Sequence, residues 1–268
     1  MRLFDSHAHY FDDRFDGIAD DILRNEVFGG KVEKVINVGT NNENNIICLR
    51  QAENYDGMYA ACGIHPEDAR YLEGTPDEEL AELEKIISGE MKKDAGCRKL
   101  VAIGEIGHDF HYEGYSCELQ ELYFERQMEM AKKYDLPVII HDRDAHGPCF
   151  DMALKFPEVR GVFHSFSGSA EMAKELVKRG WYISFSGVLT FKNAVRVRAV
   201  AESVPLERVL IETDAPYLAP HPHRGQLNHS GLMEFTARTL AEVKGIEPDE
   251  AAEITYRNAE KLFLNKNC

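Results

Sequence analysis

Eight short runs of apolar and β-branched residues recur along the chain, at residues 3–5, 35–38, 59–62, 100–103, 138–140, 162–163, 182–185 and 209–211. Most are continuously apolar rather than alternating, which is the pattern of strands buried on both faces of a parallel sheet. The intervals carry helical periodicity. Phe124, Met128 and Ala131 share one face, and Met172 with Leu176, like Ala173 with Val177, stand four apart. Ser169 is placed to cap that second helix, and Gly180 sits where a left-handed residue ends it. The charged stretch 77–99 has Leu80, Leu83 and Ile87 at helical spacing and reads as a solvated helix followed by a loop. Strand and helix thus alternate throughout, the signature of βαβ units. Eight strands in 268 residues favour closure into an α/β (β/α)8 TIM barrel over an open doubly wound sheet, and no GxGxxG loop follows any strand. Without a Pro- or Ser-rich linker or an internal repeat, residues 1–268 are expected to form a single domain.

The strand map gives meaning to the histidines and carboxylates. His7 and His9 follow the first run, Glu105 the fourth, His141 the fifth, His164 the sixth and Asp214 the eighth, all at the same end. Barrel enzymes build their sites at that carboxyl face, where side chains from several strands converge. Singly, each residue has a structural explanation: a surface HxH, core imidazoles at His141 and His164, a helix N-cap at Asp214 before Ala215 and Pro216. Jointly, ligand-type residues at five of eight strand ends predict a metal site. A mixed imidazole and carboxylate set suits zinc, manganese, iron or nickel better than magnesium. Glu105 is expected to bridge two divalent ions about 3.5 to 4 Å apart, and Asp214 to act as general base. His65, in the Gly63–Ile64–His65–Pro66 segment after the third run, is positioned to donate to a substrate oxygen or leaving group. His108, His111, His146, His221, His223 and His229 lack such convergence and read as structural or solvated.

Charge and cysteines narrow the setting. A net charge of −15 argues against a protein that coats nucleic acid nonspecifically, but it permits a nucleic-acid enzyme whose positive charge is confined to bound metals and a local basic rim. No run approaches the ~20 apolar residues of a membrane span, and the N-terminus shows no basic leader with an apolar h-region. A cytoplasmic, monomeric protein is expected. Cys48, Cys62, Cys97, Cys117, Cys149 and Cys268 lack CxxC spacing and read as reduced thiols, with the nearness of Cys149 to His146 taken as coincidence.

The runs FDSHAH, CGIHP, AIGEIGHDF, LPVIIHDRDA, FHSFSG and ETDAPYLAP, in this order over nearly the whole chain, resemble the TatD family of metal-dependent deoxyribonucleases within the amidohydrolase-like barrels. The resemblance implies metal ligation by His7, His9, Glu105, His141, His164 and Asp214, with His65 lining the site. It also implies two divalent ions (magnesium, manganese or zinc) and hydrolysis of DNA phosphodiesters, exonucleolytic at a free 3′ end and preferring single strands. The segment 224–228 matches the family's Arg-Gly and Asn signature, making Arg224 and Asn228 expected substrate-binding residues; the Arg224 fork suits phosphate oxygens. Arg143 and Lys192 on the active face, with aromatics such as Phe110, Tyr112 or Tyr217 for base stacking, would complete a nucleic-acid rim. Two positions depart from the family: His108 stands where Leu is usual, adding an imidazole beside Glu105, and Ser230 stands where Pro is usual, which is expected to loosen the loop carrying Arg224 and Asn228. The alternative is a hydrolase of an amide, ester or aminoacyl bond, for which a closed, weakly charged pocket would be the mark.

Overall fold

All eight predicted strands are present in the computed structural model, which describes residues 1–72, 74–92, 98–114 and 116–264. They are β1 (Leu3–Ala8), β2 (Val32–Val38), β3 (Met58–Cys62), β4 (Leu100–Asp109), β5 (Val138–Arg143), β6 (Gly161–Phe163), β7 (Tyr182–Phe185) and β8 (Val209–Ile211). The helices are α1 (Ala19–Ile22), α2 (Asn42–Glu53), α3 (Pro76–Met91), α4 (Cys117–Tyr134), α5 (His146–Lys155), α6 (Ala170–Lys178), α7 (Val195–Ser203), α8 (Met233–Lys244) and α9 (Pro248–Phe263). The strands form one sheet in the order β1 to β8, and their pairing is parallel. This is the (β/α)8 barrel class. Leu100, Val101, Ala102 and Ile103, like Val138, Ile139 and Ile140, are buried, as continuous apolar runs require. Among the described residues, no helix is long and apolar enough to cross a membrane.

The helix signals act as read. Ser169 Oγ accepts from Met172 N at 3.1 Å, and Gly180 has φ +93°, just past the end of α6. In α3 a capping box joins Thr75 and Glu78, while Leu80, Leu83 and Ile87 form its buried stripe. The loop predicted after it falls partly on residues 93–97, outside the described residues.

Contacts group the chain into two units. In the first, Met1–Asn37 with His164–Lys261, the segment after β8 lies against the end of β1. Ala8 bridges Ala215, His9 N donates to Ala215 O (2.7 Å), and Asp214 N donates to His7 O (2.9 Å). The fully buried Asp5 carboxylate cements this junction, accepting from Thr213 N (3.0 Å), Thr213 Oγ1 (2.5 Å) and His7 N (3.2 Å). Burial pushes its carboxyl up to about 6.

In the second unit, which includes Val38–Phe163, β4 is the longest strand, and all ten of its residues are buried. Its register against β5 slips between Ile103 and Ile106, a bulge that re-aims the intervening Glu105. Glu105 therefore lies inside its strand rather than beyond its end, as do His7 in β1 and His141 in β5, a correction to the expectation from hydropathy, which saw only the apolar first part of each strand. Gly107, at φ +143°, fits because a Cβ there would stand 2.0 Å from His141 O.

Candidate metal centre

Four of the six predicted ligands meet in the first unit. His7 and His9 share the end of β1, and their Nε2 atoms lie 2.9 Å apart. Asp214 Oδ1 is 3.4 Å from His9 Nε2 and 3.8 Å from His7 Nε2. Ligand atoms about 2.0–2.2 Å from a tetrahedral ion would lie roughly 3.4 Å from one another, so these spacings fit a divalent cation. Asp214 holds a left-handed backbone (φ 57°) in a turn closed by Tyr217 N to its carbonyl, and no helix begins there, which removes the N-cap explanation. Burial would push its carboxyl up, but the His9 hydrogen bond and the His164 and His7 imidazoles outweigh burial and hold it below the usual carboxylate range. The ring of His164 stacks on that of His7 at 4.1 Å.

Glu212, two residues before Asp214, completes this set. It is fully buried, and its Oε1 accepts from Ser165 N (2.8 Å) and lies 3.2 Å from His164 Nδ1. A carboxylate on Nδ1–H fixes the tautomer and leaves Nε2 free for a metal. Oε2 of Glu212 is buried with no hydrogen-bond partner among the described residues.

The second unit gathers Glu105, His141 and His65. His141 is held between two carboxylates, with Nδ1 2.6 Å from Glu105 Oε1 and Nε2 3.0 Å from Asp109 Oδ2. Asp109 is fixed in turn: its Oδ1 accepts from His111 N, and its backbone N–H and carbonyl both pair with the Gln120 amide. Burial opposes ionisation of Asp109, but the His141 hydrogen bond and charge keep its carboxyl below the usual range. His65 Nε2 is 3.6 Å from Glu105 Oε1, and its Nδ1 accepts from Glu67 N at 3.0 Å. That backbone N–H places the ring proton on Nε2, making His65 a donor toward the site rather than a lone-pair ligand. Both sets, imidazole with carboxylate and free of thiolate, suit divalent metals that prefer nitrogen and oxygen.

The family model described as TatD related DNase matches residues 4–264. The chain belongs to the TatD family. The metal-dependent hydrolase YabD of Bacillus subtilis, whose own activity is uncharacterised, is 37% identical over 263 residues, covering 97% of this chain and 98% of its own. The metal-dependent hydrolase TatD of Mycobacterium tuberculosis is 34% identical over 239 residues, covering 87% and 86%. The crystal structure of YjjV, a TatD homologue from Escherichia coli K12, is 32% identical, covers 98% of each chain and superposes with a TM-score of 0.88. This protein is thus a metal-dependent hydrolase of the TatD family.

The remaining residues singled out by the TatD resemblance behave differently from one another. Asn228 is fully buried, donates from Nδ2 to Thr213 O (2.9 Å) and Tyr217 O (2.6 Å), and accepts at Oδ1 from His229 N. These bonds to backbone brace the loop after β8. Arg224 is exposed, with its guanidinium 4.3 Å from the Phe191 ring centroid. Arg143, also exposed at the end of β5, donates to Tyr112 OH at 3.2 Å. Ser230 does not loosen its loop: it is buried, with Oγ 2.8 Å from Tyr10 OH and its N–H donating to that hydroxyl. His108 is turned toward α4: its Nε2 is 3.0 Å from Glu121 Oε2, its ring packs edge-on against Phe124, and burial lowers its pKa.

Cys149 is no nucleophile, because burial pushes its thiol up and His146 pairs with Asp142. Cys48 and Cys62 are buried free thiols, and Cys97 and Cys268 lie outside the described residues. Asp109 and Glu212 are the residues that sequence reasoning missed. The only signal was adjacency, Glu212 within the Glu-Thr-Asp run and Asp109 four residues after Glu105.

Proposed function

We propose that this TatD-family hydrolase is a divalent-metal-dependent deoxyribonuclease that cleaves DNA phosphodiester bonds, acting from the 3′ end of single strands as a cytoplasmic monomer. The observation that carries the reading is the pair of imidazole–carboxylate ligand sets, one in each unit: His7, His9, His164 and Asp214 in the first, Glu105 and His141 in the second. Two bound ions, of manganese, magnesium or zinc, would supply Lewis-acid charge at the scissile phosphate.

The chain's own groups do the rest. Asp214, kept ionised at neutral pH by its imidazole neighbours, accepts the proton of the attacking water. His65, with its proton on Nε2, donates to a phosphate oxygen or to the departing one. Glu212 on Nδ1 of His164 would leave Nε2 of that ring as the metal-binding nitrogen, and Asp109 orients the ring of His141. Arg224 and Arg143 grip flanking phosphates. Buried free thiols at Cys48, Cys62 and Cys149 accord with a reducing compartment.

The test is digestion of end-labelled single- and double-stranded DNA by metal-reconstituted protein, with Glu105→Ala as control and elemental analysis of bound metal. Stepwise shortening of single strands from the 3′ end, and two ions per chain, are expected. Wild-type protein that leaves both DNAs intact while hydrolysing an amide or carboxylic ester would overturn the reading.

A further inference from the structure

From Leu176 to Ala201 the chain carries Lys178, Arg179, Lys192, Arg196 and Arg198 and not one Asp or Glu, in a protein whose net charge is −15. The structure separates these cations into two kinds. Lys178 and Arg179 are paired with Glu175, and Arg198 Nε donates to Leu189 O at 3.1 Å. Lys192 and Arg196 are exposed and, among the described residues, form neither hydrogen bond nor ion pair. Arg224, from the loop after β8, is in the same position, held only by its stacking on Phe191, the neighbour of Lys192. A protein so acidic has carboxylates to spare for pairing exposed cations, as it does at Arg14, Lys31, Lys132 and Lys133. Three cations without such carboxylates, Lys192 in the loop after β7, Arg196 in the first turn of α7 and Arg224 in the loop after β8, run against the sign of the protein's net charge.

These loops are anchored to the first ligand set. Ser186, at the start of the loop after β7, has its Oγ 2.8 Å from that of Ser165, the residue after His164. Farther along, Thr190 Oγ1 accepts from His221 N at 2.7 Å, and a Cβ at Gly187 would stand 2.1 Å from Leu218 O, so the two loops run in backbone contact. Asn228 ties the second loop back to Thr213, beside Asp214.

We propose that Lys192, Arg196 and Arg224 form a docking track for the phosphates of a nucleic-acid strand as it leaves the His7, His9, His164 and Asp214 set. The track rests on the deoxyribonuclease reading of that site. Exposed cations in water attract a single anion weakly, but a polyanion meeting several at once releases a counterion for each, and the gain accumulates. Three cations spread over two loops and the first turn of α7 thus suit a strand and not a small phosphodiester.

The experiment is the salt dependence of binding, by fluorescence anisotropy, of a labelled phosphorothioate oligothymidylate, which resists hydrolysis, to the metal-reconstituted protein. Each phosphate contact to a single strand contributes about 0.7 to the slope of log K against log salt. Lys192→Ala, Arg196→Ala and Arg224→Ala together are expected to flatten that slope by about 2, with an unchanged melting temperature. Removing the exposed Lys174 and Lys261 on α6 and α9 is expected to leave it near the wild-type value. A triple variant with the wild-type slope, in a protein that does degrade unmodified DNA, overturns the track alone. Wild-type protein that neither binds nor degrades DNA overturns the reading on which it rests.

Discussion

Glu212→Gln separates metal binding from folding. In the wild type, Glu212 Oε1 receives Ser165 N–H and faces His164 Nδ1, while Oε2 is buried without a partner. Glutamine keeps an acceptor oxygen for both donors but removes the charge that makes His164 a stronger base toward metal. Loss of such an outer partner costs roughly 10- to 100-fold in metal affinity, or about 1.4 to 2.8 kcal/mol. Folding should respond in the opposite sense. A desolvated carboxylate with an orphan oxygen costs several kcal/mol, whereas the new amide N–H2, left without an acceptor, costs about 1–3 kcal/mol. The metal-free variant should therefore melt no lower than wild type. Isothermal titration with manganese or zinc, and thermal unfolding in chelator, read the two effects independently. Unchanged affinity would refute the positioning role; a melting temperature that falls along with affinity would show the residue to be merely structural; a loss far beyond 100-fold would make Glu212 a direct ligand.

His65→Ala should lower kcat by roughly 100-fold or more with metal stoichiometry unchanged, as expected of a proton donor; loss of a bound ion in elemental analysis would contradict the Nε2–H tautomer. Asn228→Ala strands the buried carbonyl of Thr213 and the part-buried one of Tyr217, and should destabilise the fold by about 2 kcal/mol in denaturant unfolding; a stable variant with only weakened DNA binding would show that it meets substrate instead. The bidentate Arg2–Glu253 pair ties the N-terminus to α9 and, with Arg257, lowers the Glu253 carboxyl to about 2 from an ordinary 4.5. A depressed acid stabilises above its unfolded pKa and loses that contribution as pH falls through the folded one. Because both partners are a third or more exposed, Glu253→Gln should cost under ~1 kcal/mol at neutral pH. That difference should shrink between pH 4.5 and 2 in chemical denaturation; a difference constant across this window would show that the carboxylate charge contributes nothing.

The barrel was legible because strands buried on both faces must be apolar at every position, and Leu100–Ile103 or Val138–Ile140 cannot hide that need. The placement of ligand-type residues was legible for the same reason: once strand ends are marked, His7, His9, His141, His164 and Asp214 fall at one end of the strands without any knowledge of contacts. Beyond this the sequence was silent. Polar residues extend β4 to Asp109, so hydropathy ended the strand early and put Glu105 outside it. Ser230 was expected to loosen its loop, yet it and Asn228 are buried and bonded to Tyr10, Thr213 and Tyr217, across distances no sequence pattern marks. His108 looked like a neighbour of Glu105 and instead packs against α4.

The chain by itself determined the number of strands, the hand-off between strand and helix, and which strand ends carry imidazoles and carboxylates, because each depends on local composition and spacing. Only the tertiary structure decided which group each imidazole nitrogen meets. Those partners are Glu212 on His164, Asp109 on His141 and the Glu67 amide on His65. The first two of these partners are brought within hydrogen-bond reach across 48 and 32 residues by strand register, a distance over which no sequence pattern encodes a proton's position.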